Sequence, residues 1–80
     1  MAIRVFGKPG CQQCKMTVHV LKELEADFEY LDITKDQEAR EEFETYGYES
    51  LPVVVAPGHK IFYGFRPDEL KVIVASGAKW

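Results

Sequence analysis

Lys8-Pro9-Gly10-Cys11-Gln12-Gln13-Cys14-Lys15 (KPGCQQCK) carries the only two cysteines of the chain, and the residues on either side of it decide the fold. Before it, Ala2 to Phe6 (AIRVF) is a short run of β-formers and reads as a strand, while Gly7 to Gly10 is loop chemistry. After it the hydrophobic period changes. Cys14, Val18, Leu21 and Leu24 or Glu25 recur at three-to-four-residue spacing, with Lys15, Lys22 and Glu23 on other faces, which predicts an amphipathic helix over about residues 12–26. The cysteine pair therefore sits where a loop hands over to a helix, directly after the first strand.

Further along the chain, Phe28 to Ile33 (FEYLDI) alternates apolar and polar residues and predicts a second strand. Thr34-x-x-Gln37 has the form of a capping box and predicts the start of a second helix, with Ala39, Phe43 and Tyr46 on its apolar face and Gly47 as its stop. Leu51 to Ala56 (LPVVVA) is a continuous apolar run of strand length and predicts a buried strand. Pro57-Gly58 is a turn signal, and Lys60 to Tyr63 predicts a short return strand. Pro67 suits the first position of a third helix, with Asp68 and Glu69 favourable at its positive end, Leu70, Ile73 and Val74 facing inward, and Gly77 as its end. The order β-α-β-α-β-β-α places the chain in the α/β class. The β-α-β start calls for a parallel pair and the Pro57-Gly58 turn for an antiparallel hairpin, giving a four-stranded mixed sheet flanked by three helices.

Eighty residues suffice for one domain, expected to span residues 1–80. Hydrophobic residues at 46% and charged residues at 29% exclude a disordered chain and a membrane-spanning one. The start MAIRVFGKPGC lacks the apolar core of a signal peptide, so a cytoplasmic location is expected. The net charge is −3 and the basic residues are scattered, so no nucleic-acid face and no membrane contact are expected. A monomer is expected.

Two cysteines are too few for a disulfide scaffold, and in a reducing compartment a close pair points to redox or metal chemistry. The metal reading lacks ligands: structural zinc sites use four, and the remaining candidates are His19, five residues past Cys14 on the same helix, and His59, in a turn. The redox reading uses the placement itself. Unpaired backbone N–H groups and the positive dipole end favour a thiolate at Cys11, and Cys14 lies one helical turn on, close enough to join it. Cys11, nearer the loop, is the attacking thiol; Cys14, one turn inside, resolves the mixed disulfide. This requires a Cys11 pKa near or below about 7, and a potential of about −270 to −200 mV is expected. Lys8 either adds positive potential here or is a solvated loop lysine. Pro52 cannot donate to a strand ladder; taken alone it either starts a strand as a trans proline or, with a cis bond after Leu51, lies beside the dithiol and offers backbone hydrogen bonds to an extended substrate.

The strand–Cys-x-x-Cys–helix opening with a later strand-initiating proline resembles the thioredoxin/glutaredoxin superfamily. Within it Cys11-Gln12-Gln13-Cys14, Leu51 to Ala56 and Gly64-Phe65-Arg66-Pro67-Asp68 resemble the NrdH-redoxin family over roughly residues 3–74. The resemblance implies a thioredoxin fold, a redox-active Cys11–Cys14 disulfide with no bound cofactor or metal, and a cis peptide before Pro52. It implies a cytoplasmic hydrogen donor to class Ib ribonucleotide reductase, re-reduced by NADPH-linked thioredoxin reductase, with little or no glutathione binding. Lys8, Gln12, Gln13, Leu51, Pro52, Gly64, Phe65, Arg66 and Asp68 are the candidate partner-binding residues. Phe65 is equally suited to core packing, and Arg66 is expected to pair with Asp68 or with another carboxylate. Two positions depart from the family pattern: Gln12 stands where Val or Met is usual, and Phe62-Tyr63 replaces Trp-Ser. Two rivals remain at this stage: a glutathione-dependent glutaredoxin, to which Glu49 and Ser50 offer no positive charge beside Pro52, and a binding module that uses the cysteines to hold metal.

Overall fold

The computed structural model describes residues 3–75. The expected order β-α-β-α-β-β-α is realised as β1 (Ile3–Gly7), α1 (Gln12–Glu23), β2 (Phe28–Asp32), α2 (Gln37–Thr45), β3 (Val53–Val55), β4 (Phe62–Tyr63) and α3 (Pro67–Ala75). The four strands form one mixed sheet in the order β2-β1-β3-β4. β1 pairs parallel with β2, Val5 opposite Tyr30, and antiparallel with β3, Val5 opposite Val54; β3 and β4 form the antiparallel hairpin.

The two-residue period of the strands sorts the core into two layers. Ile3 and Val5 of β1 and Val54 of β3 are buried on one face with Leu21 of α1 and Leu70 and Ile73 of α3. Phe6 and Val53 are buried on the other face against Ala39 of α2, where Leu31, Phe43 and Tyr46 join them. The sheet thus lies between α1 and α3 on one side and α2 on the other.

Several boundaries differ from the sequence expectation, each for a local reason. α1 ends at Glu23, not at residue 26. Glu25 takes a left-handed φ of 57°, its N–H bonds the Lys22 carbonyl, and the Ala26 N–H bonds the Leu21 carbonyl at 3.0 Å, a Schellman stop built without glycine. β2 ends at Asp32; Ile33 has entered the turn, although its N–H still bonds the Gly7 carbonyl. Thr34 does not cap α2. Its N–H and hydroxyl both donate to Asp32 Oδ1, and the cap is Asp36, whose Oδ1 accepts the Ala39 N–H at 3.1 Å. The apolar run Leu51–Ala56 pairs only over Val53–Val55; the burial was legible, the ladder shorter. The return strand is Phe62–Tyr63 in place of Lys60–Tyr63. Ala2, Gly77 and Trp80 lie outside the described residues.

Candidate active site

Cys11 is the N-cap residue of α1: its backbone is extended, with φ −92° and ψ 106°, and its Sγ accepts the Cys14 N–H at 3.2 Å. One of the helix's unpartnered amides therefore points at that sulfur, and a thiolate formed there would gain from both the amide and the helix dipole. Gly10, at φ 77°, makes the left-handed turn that delivers the chain to the cap. Cys14 lies one turn on, 5.2 Å away between Cα atoms, and is joined to Cys11 as a disulfide. Cys11 is partly exposed and Cys14 is 1% exposed. The outer sulfur is therefore the more reachable of the two.

Two further segments close on this helix start. The Leu51–Pro52 peptide is cis, with Pro52 buried and Leu51 packed at the edge of the α2-side core. The Pro52 carbonyl accepts the Gly64 N–H at 2.8 Å, and Gly64 holds a φ of 85°, the left-handed region that a side chain resists. The next amide, Phe65 N–H, donates to Gln13 Oε1 at 3.1 Å. A bond from Gln13 to Phe65 and another from Gly64 to Pro52 thus tie the dithiol turn, the segment before α3 and the proline turn to one another.

Of the sequence candidates, Cys11, Cys14, Gln13, Pro52, Gly64 and Phe65 are brought into this arrangement. Phe65 is half-buried against the α1–α3 core, and it also lines a shallow pocket with Gln12, Met16 and Val20. Gln12 is exposed. Arg66 is exposed and its Nε donates to the Tyr63 carbonyl at 3.2 Å; the expected pairing of Arg66 with Asp68 or another carboxylate is not formed among the described residues, and Asp68 stands exposed in the first turn of α3. Lys8 is exposed and lines a groove that reaches Cys14 from the β2 side. That groove brings in residues the sequence reading did not single out: Lys15, Val18 and Lys22 of α1 with Phe28, Tyr30 and Asp32 of β2. Burial, and secondly the Asp32 charge, push the Tyr30 phenol up, while the Thr34 hydroxyl and N–H hold the Asp32 carboxyl below its ordinary range. The seven-residue spacing of Lys8, Lys15 and Lys22 was the available signal.

The histidines do not join the cysteines. His19 pairs with Glu23 on the exposed side of α1 and His59 with Glu69 of α3, and among the described residues no group of three or more His, Cys, Asp or Glu could hold a metal ion. Nor, among the described residues, is any helix long and apolar enough to cross a membrane.

A glutaredoxin family profile matches residues 3–61. The chain is 35% identical over 68 residues to the glutaredoxin-like protein NrdH of Escherichia coli, covering 85% of this chain and 83% of that one. Its fold is similar to the solved structure of NrdH-redoxin from Escherichia coli, described as having a thioredoxin-like activity profile, with a TM-score of 0.82 and 33% identity over 91% of this chain and 95% of that one. It is also similar to a glutaredoxin structure from Archaeoglobus fulgidus, with a TM-score of 0.75 and 33% identity over 92% and 87% of the two chains.

Proposed function

Because the chain belongs to the glutaredoxin family, as an NrdH-redoxin, we propose that its thiol–disulfide chemistry is that of a hydrogen donor to class Ib ribonucleotide reductase, re-reduced in the cytoplasm by NADPH-linked thioredoxin reductase. The observation that carries the reading is the asymmetric pair: Cys11 partly exposed at a helix N-cap and Cys14 buried one turn inside, close enough to bond.

In the proposed cycle the Cys11 thiolate attacks one sulfur of the target disulfide, and the other target sulfur leaves and takes a proton. Cys14 loses its proton and attacks the Cys11 sulfur of the mixed disulfide. The Cys11–Cys14 disulfide forms, and the target carries away two electrons and two protons as a dithiol. The partner-facing rim is Gln12, the Leu51–Pro52 turn and the Gly64–Asp68 segment. The tie between Gln13 and Phe65 supports a fixed rim of this kind, and the thioredoxin-like activity of the Escherichia coli relative supports the choice of reductase. Against a glutathione-dependent role, the lysines near the dithiol line a groove that reaches Cys14 and not Cys11, the sulfur a glutathione adduct would need.

The test is deoxyribonucleotide formation by a purified class Ib ribonucleotide reductase. It is run once with NADPH and thioredoxin reductase and once with glutathione and its reductase. Turnover is expected in the first system. Turnover confined to the second would replace the proposed reductase with glutathione. Cys11→Ser is expected to be inactive and Cys14→Ser to accumulate a covalent adduct with the target; the reverse pattern would exchange the two roles.

A further inference from the structure

The groove between α1 and β2 encloses about 500 Å³, within the range that holds a ligand or a few side chains. Its floor is apolar, from Val18, Phe28 and the Tyr30 ring, and its rim is basic, from Lys8, Lys15 and Lys22. Tyr30 lies over the end of β1, where a methyl added at Gly7 would collide with its ring, so the bare backbone of Gly7 shapes the wall. The chain has 10 Lys and Arg against 13 Asp and Glu, so three lysines around one groove stand out against an acidic background. None of the three is drawn into an ion pair among the described residues, whereas Arg4 and Arg40 are held by Glu42 and Glu44. The one carboxylate in the lining, Asp32, is engaged by the Thr34 N–H at 2.8 Å and its hydroxyl at 2.6 Å. The groove also runs along an outermost strand: β2 has β1 on one side and no strand on the other among the described residues.

We propose that this groove docks an acidic, extended segment of the protein whose disulfide the chain reduces. The segment lies along the free edge of β2, sets an apolar side chain on Phe28 and Tyr30, and brings carboxylates to Lys8, Lys15 and Lys22. An extended segment presents every second side chain to one face and can add its backbone to an open strand edge, and the lysines select its charge. Neither Cys11, Pro52, Gly64 nor Phe65 lines the groove, so its occupant leaves the attacking sulfur and the proline turn free for the disulfide. Cys14 at one end brings the docked segment close to the reacting pair. The inference rests on the dithiol-donor reading above and adds the chemistry of the partner.

The experiment uses reduced protein freed of dithiothreitol and two peptides with the same internal disulfide, one followed by Asp-Glu-Leu-Asp-Glu and the other by Ser-Ser-Leu-Ser-Ser. At low ionic strength the acidic peptide is expected to be reduced about tenfold faster. The double variant Lys15→Glu/Lys22→Glu is expected to abolish that advantage and leave the serine peptide unchanged. Lys35→Glu/Lys60→Glu, the same charge change elsewhere, is expected to keep it, and replacing the acidic peptide's leucine by serine to lower its rate severalfold. Equal rates for the two peptides, or equal losses in the two double variants, would overturn the groove and leave the donor reading standing. Reduction of neither peptide by the wild-type protein would sink the donor reading. In that case fluorescence anisotropy of the oxidised protein with the acidic peptide, its cysteines changed to serine, still reads the groove: binding lost in Lys15→Glu/Lys22→Glu supports it, and absence of binding overturns it.

Discussion

The Gln13 amide reaches from the first turn of α1 to the segment that leads into α3, where Oε1 accepts the Phe65 N–H at 3.1 Å. Among the described residues, its chain neighbours apart, the same oxygen is the only atom within 4 Å of the space a side chain at Gly64 would occupy. Gln13→Ala leaves the Phe65 amide to water. Because the bond is exposed, the loss is expected to be about 0.5–1 kcal/mol in urea unfolding. Its second effect is specific: the single-turnover rate with a protein disulfide should fall severalfold, while the rate with a small disulfide such as that of dithiothreitol stays within twofold. Equal losses on both substrates would mean that Gln13 supports the dithiol itself and not the partner-facing rim. From sequence, Gln13 read as a residue facing partners; the bond that ties it to the start of α3 joins positions 52 apart, and no local pattern encodes that. Cys11 and Cys14 were legible because their chemistry depends on local placement, a loop becoming a helix and one turn of spacing.

The same division between local and distant causes runs through the elements. Helix and strand types followed from hydrophobic period, and the ends depended on which polar group won a local competition. At Asp32-Ile33-Thr34-Lys35-Asp36 two aspartates compete for the turn; Asp32 takes the Thr34 donors and Asp36 takes the cap. The end of α1 gave no signal, since its left-handed position is filled by Glu25 at φ 57° where glycine is usual. Glu25→Gly relieves that conformation and is expected to raise stability by about 0.5–1 kcal/mol in urea, part of the gain being offset by the freer unfolded chain. A loss would mean that the Glu25 side chain contributes more than its backbone costs. Across elements, Arg4 of β1 grips Glu42 of α2 through both carboxylate oxygens, and the Tyr46 hydroxyl donates to the same carboxylate. Arg4, and then Tyr46, hold the Glu42 carboxyl below its ordinary range despite partial burial. A carboxyl with a lowered folded pKa adds stability that is present above its unfolded value of about 4.3 and is lost as pH falls through the folded value. Glu42→Gln is therefore expected to be less stable than wild type at neutral pH, the gap closing as pH falls below the unfolded value and through the lowered folded one. Both side chains keep about a third of their surface in water, which limits the difference to about 1 kcal/mol. A gap that persists unchanged at low pH would assign it to packing and not to charge.

At the scale of the whole molecule, the sheet order β2-β1-β3-β4 rests on a β1–β3 pairing that no connection announces, but its two other pairings followed from the sequence, through a helical crossover after β1 and a tight turn after β3. The meeting of three distant turns at one end of that sheet did not, because it depends on how α1 and α3 share a face: the Gln13–Phe65 bond forms where both helices begin. The fold that results has to serve two redox states with one helix start. In the oxidised state the disulfide closes a loop of only a few residues, so its constraint on the unfolded chain is small, about 2 kcal/mol. In the reduced state the same N-cap geometry, an amide N–H on the sulfur at the positive end of a helix, is expected to favour a Cys11 thiolate. A thiol with a lowered folded pKa contributes stability that is complete above the unfolded pKa and disappears as pH falls through the folded one. The oxidised protein has no thiol to titrate at this pair, so the stability of the reduced form relative to it should rise with pH through the window below the ordinary thiol value of about 8.5 and level off above it. Paired urea titrations of the two states across the window measure this directly, and in Cys11→Ser and Cys14→Ser, compared with the reduced wild type, only the first substitution should remove the rise. A difference between the two states that does not change with pH would mean that the helix start does not hold a thiolate, and the electron-donor reading would lose its physical basis along with the order assigned to the two sulfurs.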